Sequence, residues 1–258
     1  PITSLAKNSA RPKNFVGIHF FSPVDRMMLV EIILGKKTGD KALAVAMDFV
    51  RAIGKTPIVV NDTRGFYVNR CVLRYMAESY RMLIEGVPAA MIENSAKLAG
   101  MPVGPLALTD ETAIDLAQKI MRQTKKDLGD KAVDAEQMKL IDTMVDTHGR
   151  AGRKNGKGFY DYPAKPAKKK LWPGLSSLYP QRKADSVDVE ELKQRFLVTI
   201  ALEAARVMEE GIVSDPREAD VGSILAFGFA PYTGGALSYI DGMGAANFVA
   251  LAKSLQKK

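Results

Sequence analysis

The sequence predicts a mainly α chain, in which a short β-β-α-β segment precedes two copies of one helical unit. Three observations carry this. Strand-like apolar runs are confined to residues 15–60, helical spacing of apolar residues fills 66–258, and the helical part matches itself at an offset of 125 positions.

The elements follow in order. Phe15-Val16-Gly17-Ile18-His19-Phe20-Phe21 is a short, almost continuously apolar run, the pattern of a buried strand. Ser22-Pro23-Val24-Asp25-Arg26 has the chemistry of a turn, with proline fixing φ. Leu29–Leu34 reads as a second strand, closed by Gly35. Within 40–53, Leu43, Ala46, Met47, Val50 and Ile53 recur at helical spacing, and Gly54 stops that helix. Pro57–Val60 is a third strand, ending at Asn61-Asp62, and beyond Gly65 the chain reads as helices alone. One helix cannot cover both faces of three strands, so the sheet is expected to be the edge of a larger one. The chain opens Pro1-Ile2-Thr3 without methionine or a signal-peptide pattern, and is expected to be an internal piece of a longer polypeptide.

The repeat has three anchors. Arg70 through Glu85-Gly86-Val87 matches Arg195 through Glu210-Gly211-Ile212 at an offset of 125. Ala99-Gly100-Met101 echoes Phe227-Gly228-Phe229 at 128, and Gly104-Pro105-Leu106 with Asp110 echoes Gly235-Ala236-Leu237 with Asp241 at 131. The growing offset implies small insertions near Val213 and Pro231; chance likeness between amphipathic helices is the alternative. Between the copies, Pro163, Pro166, Pro173, Pro180 and the run Lys168-Lys169-Lys170 mark a linker, with the lysines solvated. The expected division is therefore 1–62 for the strand segment, 63–162 for the first helical repeat, 163–187 for the linker and 188–258 for the second repeat.

Composition narrows the function. The 258 residues are 47% hydrophobic and 26% charged, enough to build a core and too ordinary for disorder. Runs such as Met27–Leu34 are far too short to span a bilayer. A single cysteine, Cys71, cannot form an internal disulfide, and two histidines, His19 and His148, make a histidine-rich metal site improbable. The net charge of +8 suits nucleic acid or a phosphate-bearing cofactor equally. Because no face interleaves basic and aromatic residues, nucleic acid ranks last.

Two polar residues interrupt the apolar strands. His19 alone reads as a satisfied core histidine as readily as a reactive one. Glu31, twelve residues later, is a charge in a buried run and needs a partner. With the turn centred on Asp25, an antiparallel register pairs residue i with 50 − i and sets Glu31 opposite His19. A carboxylate against an imidazole fixes the tautomer and stabilises the imidazolium, which makes a candidate general base. Asn69 follows Gly65 in the first turns of a helix, either contacting a ligand or tethering the preceding loop. Three other features are weaker. Gly152–Tyr160 resembles a phosphate loop but fails G-x-x-x-x-G-K-[ST], and reads as a basic turn packing Phe159 and Tyr160 inward. His148 fits a helix C-terminus, and Cys71 fits the core. The chain has no G-x-G-x-x-G.

Together these segments resemble the L-3-hydroxyacyl-CoA dehydrogenases. The resemblance rests on Gly17-Ile18-His19-Phe20-Phe21-Ser22-Pro23-Val24, Leu29-Val30-Glu31, Thr56–Asp62 and Gly65-Phe66-Tyr67-Val68-Asn69-Arg70. Met101-Pro102-Val103-Gly104-Pro105 and Lys154–Tyr160 extend it over essentially the whole chain. It implies that residues 1–62 are the C-terminal edge of a Rossmann-type NAD-binding domain, and that the helical repeats are of the dehydrogenase C-terminal type. It further implies oxidation of (3S)-3-hydroxyacyl-CoA to 3-ketoacyl-CoA in fatty-acid β-oxidation, with NAD as cofactor. His19 is then the catalytic base, Glu31 its orienting carboxylate and Asn69 a substrate contact. A family serine that helps bind the substrate oxygen would precede Pro1, as would the glycine-rich NAD loop.

The second repeat resembles the multifunctional class, such as the alpha subunit of the bacterial fatty-acid oxidation complex, where an enoyl-CoA hydratase domain comes first. In single-function members one helical unit dimerises, and a fused copy would replace that partner. The implied partners are an acyl-CoA substrate, upstream Rossmann and hydratase domains, and a thiolase subunit, with no membrane span. The implied compartment is the bacterial cytoplasm, with mitochondrial and peroxisomal placement left open. The piece alone is expected to fold but to be inactive, and a non-catalytic scaffold for hydratase and thiolase partners is the alternative. The sequence departs from the family at Asp110-Glu111-Thr112-Ala113, where relatives tend to carry apolar residues and glycine.

Overall fold

The computed structural model describes residues 1–164 and 166–256. Lys165, within the expected linker, and Lys257 and Lys258, at the end of the expected second repeat, lie outside the described residues. Two compact units divide the chain: Pro1–Arg74 with Leu197–Lys258, and Tyr75–Phe196.

In the first unit a short helix α1 (Ile2–Ala6) precedes strands β1 (Gly17–Phe20) and β2 (Leu29–Leu34). Helix α2 (Asp40–Ala52) and strand β3 (Thr56–Asn61) follow. The strands form one sheet in the order β1-β2-β3, antiparallel then parallel. Alternation along β2 sends Val30 and Ile32 to one face, where they pack with Ala46 and Val50 of α2. Leu29, Glu31 and Ile33 face the other way.

That second face, which α2 alone does not cover, is covered by elements from later in the chain. Helix α3 (Val68–Ile84) begins over it, followed in this unit by the C-terminal part of helix α9 (Val189–Glu209) and by helix α10 (Pro216–Phe227). Gly222 of α10 lies so close to Ile58 and Tyr67 that a Cβ there would meet Ile58 Cδ1 at 2.9 Å. Ile58 and Val60 are each only 1% exposed. The open edge of β3 is also occupied: the Asn61 amide donates to the Ile212 carbonyl (2.7 Å) and the Val59 amide to Glu218 Oε2 (3.0 Å). The cover comes from residues some 150 positions away, beyond the range of any local pattern. Helices α11 (Ala236–Met243) and α12 (Ala245–Gln256) complete the unit, with Phe248 buried against Val198 and Ala201.

The second unit is helical: α4 (Ala89–Leu98), α5 (Pro105–Thr112), α6 (Ile114–Leu128) and α7 (Ala135–Asp142), the last running into a π-helical turn at Thr143–Thr147. One departure from the all-helix expectation is a pair of two-residue strands, β4 (Tyr160–Asp161) and β5 (Lys170–Leu171). Short helix α8 (Gly174–Leu178) follows. This pairing is held by side chains, with buried Arg150 bonded to Gly158 O and Tyr160 O and its guanidinium 4.2 Å from the Trp172 ring. Lys169, expected in a solvated run, lies over the Tyr160 ring at 4.7 Å.

The repeat is visible in the hydrogen bonding. Helices α3 and α9 end alike: Val87 N bonds Met82 O and Ile212 N bonds Val207 O, after glycines at φ 83° and 68°. Glu93 accepts the amides of Leu106 and Ala107 at the start of α5, and Asp220 those of Leu237 and Ser238 at the start of α11. Arg70 pairs with Glu203 and Glu210, while Arg195 pairs with Glu78 and Glu85, so each arginine's partners are the other's displaced by 125 positions. No helix of the described residues is long and apolar enough to cross a membrane.

Candidate active site

The register of β1 and β2 is the one that the turn at Asp25 implies: His19 stands opposite Glu31. Both side chains lie on the face covered by the start of α3. His19 Nδ1 and Glu31 Oε2 are 2.7 Å apart. Glu31 is fully buried, whereas the His19 side chain keeps 28% of its surface open. A buried carboxylate without partners would be costly, and this one is fully engaged. Its second oxygen, Oε1, accepts the backbone amides of Tyr67 (3.0 Å) and Val68 (2.9 Å). Those amides belong to the first turn of α3, where helix N–H groups lack intrahelical partners and favour negative charge.

Gly65 and Phe66 turn the chain into α3 with φ of 80° and 50°. Phe66 is a non-glycine residue in left-handed backbone, and its ring centroid is 5.8 Å from that of His19. Phe21 approaches the imidazole at 4.5 Å. Tyr67 is fully buried, its hydroxyl donating to the Ala219 carbonyl (2.7 Å). The structure thus joins His19 and Glu31 directly. Asn69 sits half-buried at the second position of α3, one residue beyond the Val68 amide, and among the described residues its side chain bonds to neither. Residue patterns missed the two amides, because backbone donors leave no residue-type signal; Gly65 at the entry to the helix was the available hint.

The weaker candidates resolve as structure. Cys71 is buried in apolar surroundings that push its thiol pKa up, so it stays an unreactive thiol. His148 ends the π-helical turn and packs at a tilt against Trp172, with ring centroids 4.9 Å apart. The Gly152–Tyr160 loop is tied to Asp110, whose carboxylate accepts the amides of Phe159 (2.7 Å) and Tyr160 (2.9 Å). Burial raises the Asp110 pKa to about 6 against the opposing pull of those bonds. A groove of about 480 Å³ in the second unit is lined in part by Asp142 and Asp146, and both carboxylates already hold Gln118 and Arg122.

Comparison with known proteins bears on the family and the fold. Residues 1–63 match the family model for the 3-hydroxyacyl-CoA dehydrogenase NAD binding domain, and residues 65–162 the model for the C-terminal domain of the same family. The fatty acid oxidation complex subunit alpha of Shewanella amazonensis is 42% identical over 262 residues, a match covering all of this chain. The chain spans 36% of the length of that relative. Its fold is similar to that of 3-hydroxybutyryl-CoA dehydrogenase from Escherichia coli, with TM-score 0.77 at 21% identity, covering 99% of this chain and 69% of that one. The dehydrogenase part of multifunctional enzyme 1 from C. elegans gives TM-score 0.61 at 26% identity, covering 88% and 52%. Two successive domain models of one family thus match residues 1–162 in order, with His19 and Glu31 inside the first and the amides of Tyr67 and Val68 inside the second, and the chain belongs to the 3-hydroxyacyl-CoA dehydrogenase family.

Proposed function

We propose that the chain supplies the proton-handling part of an NAD-dependent 3-hydroxyacyl-CoA dehydrogenase, which oxidises (3S)-3-hydroxyacyl-CoA to 3-ketoacyl-CoA. The observation that carries this reading is the double engagement of Glu31, one oxygen on His19 Nδ1 and the other on two helix-start amides. With Glu31 ionised, Nδ1 holds the proton and donates it to Oε2, which leaves Nε2 as an acceptor. Nε2 takes the proton of the substrate's 3-hydroxyl as the C3–H pair departs as hydride and the C–O bond becomes a carbonyl. Glu31 balances the imidazolium without itself taking the proton, as a buried orienting carboxylate does. Asn69, at the same helix start, positions the substrate oxygen.

NAD, the family's cofactor, would when bound supply the hydride acceptor. The 258 residues contain no glycine-rich loop to cradle its pyrophosphate, so every step assigned to this chain is a proton step. The reading places the chain in a longer polypeptide with a nucleotide-binding segment and an enoyl-CoA hydratase domain ahead of it, working with a thiolase subunit in the bacterial cytoplasm. The four-part division at 62, 162 and 187 belongs to the same reading.

The experiment is acetoacetyl-CoA-dependent NADH oxidation, measured for this chain alone and for a chain extended at its N-terminus by a nucleotide-binding segment. Turnover by the extended form only is the expected result. An extended form that folds, binds NADH and does not turn over would instead favour a scaffold role.

A further inference from the structure

Phe66 occupies a backbone conformation, φ 50°, that disfavours a side chain. Left-handed backbone is unfavourable for a non-glycine residue, a penalty that glycine avoids and asparagine tolerates. The turn itself has a clear use, because the next two amides are those that hold Glu31 Oε1. Glycine or asparagine at 66 would make that turn with less strain. What phenylalanine adds is its ring, 5.8 Å from the His19 imidazole with the planes at 57°, alongside Phe21 at 4.5 Å and the same angle. His19 is partly open to solvent, and its single bond to Glu31 fixes one ring atom while leaving the tilt of the ring unset.

We propose that Phe66 is a positioning residue for His19: its ring, carried by the left-handed turn, packs with Phe21 against the imidazole and holds Nδ1 on Glu31 with Nε2 presented outward. This rests on the reading of His19 as the base, and it goes further by explaining why a strained aromatic stands at 66. The strain is retained because the same turn delivers both the amides for Glu31 and the ring for His19.

Imidazole-nitrogen NMR tests this without turnover. The chain has only two histidines, so His148 serves as an internal reference. Phe66→Asn accepts the left-handed backbone and removes the ring, Phe66→Leu keeps apolar volume without the ring, and Phe66→Tyr keeps the ring. The expected result is a His19 Nδ1–H to Nε2–H tautomer ratio that falls about threefold or more in Phe66→Asn and Phe66→Leu. The Phe66→Tyr ratio should match the parent, His148 should not change, and the melting temperature of Phe66→Asn should be unchanged or higher. If Phe66→Asn melts lower, Phe66→Leu decides. An unchanged His19 tautomer ratio in Phe66→Leu overturns the proposal. A His19→Gln enzyme with undiminished turnover would remove the base role while leaving the tautomer result to stand or fall by itself.

Discussion

Glu31 divides its two carboxylate oxygens between His19 Nδ1, 2.7 Å away, and the amides of Tyr67 and Val68 at the start of α3. The same side chain therefore bonds both the histidine ring and the helix end that carries Asn69. Sheet and helix meet at one buried charge, which makes the geometry of the site a property of the first unit's packing.

Glu31→Gln should separate these roles. The amide oxygen can still accept from the helix, but the NH2 group then faces Nδ1 and selects the tautomer with the proton on Nε2, which cannot accept one. Loss of a correctly placed base is expected to lower kcat by roughly 10²–10⁴-fold with a smaller change in KM. Denaturant unfolding should show a loss of about 1–3 kcal/mol from imperfect pairing of buried donors. Steady-state rates and unfolding curves on the same preparation check both.

Ala113 joins α5 to α6 with φ 81° and ψ 122°, a positive-φ conformation that favours glycine. Ala113→Gly should relieve that backbone and raise the unfolding free energy by about 1 kcal/mol. A denaturation midpoint that falls would mean that the alanine methyl contributes packing outweighing the strain.

Asp110 predicts a pH signature. Its pKa is raised by burial to about 6 in the folded chain, above the ordinary carboxylate value. Between those values the folded state binds more protons than the unfolded state, so Asp110's contribution to stability is present below about pH 4 and is lost as pH rises through about 6. Glu93, also raised by burial, acts in the same direction. Unfolding free energies of the parent should therefore decline across this window relative to Asp110→Asn, and parallel curves for the two would contradict the shift.

The ion pairs on Arg70 should be unequal. Glu203 is 2% exposed and accepts from Arg70, Arg74 and Arg206, while Glu210 is 49% exposed. Glu203→Gln is expected to cost about 1–3 kcal/mol, because a buried acceptor shared by three arginines becomes in part a donor facing them, while Arg70 keeps Glu210. Glu210→Gln should cost ~1 kcal/mol or less. Guanidine-free urea melts at low and moderate salt distinguish the two, with only the Glu210 effect shrinking as salt rises.

Much of this was readable in the residues. Leu29–Leu34 forms the strand its apolar run implied, and the turn at Asp25 fixed the partner of His19, since one hairpin has one register. The repeat survived as matching helix ends at Gly86 and Gly211. What could not be read was nonlocal or carried by backbone. Covering of the second sheet face depends on Gly222 approaching Ile58, and the hold on Glu31 depends on amides that any residue possesses. The β4–β5 pair has two residues per strand and is held by Arg150 and Trp172, too short for alternation to announce.

If His19 moves the substrate proton, its removal must slow the chemical step. The direct measurement is kcat and KM for acetoacetyl-CoA reduction by an NADH-competent enzyme containing this chain, with His19→Gln compared with the parent. The expected result is a kcat lower by roughly 10²–10⁴-fold with little change in KM. A His19→Gln enzyme that keeps its kcat, or loses only substrate affinity, would contradict it.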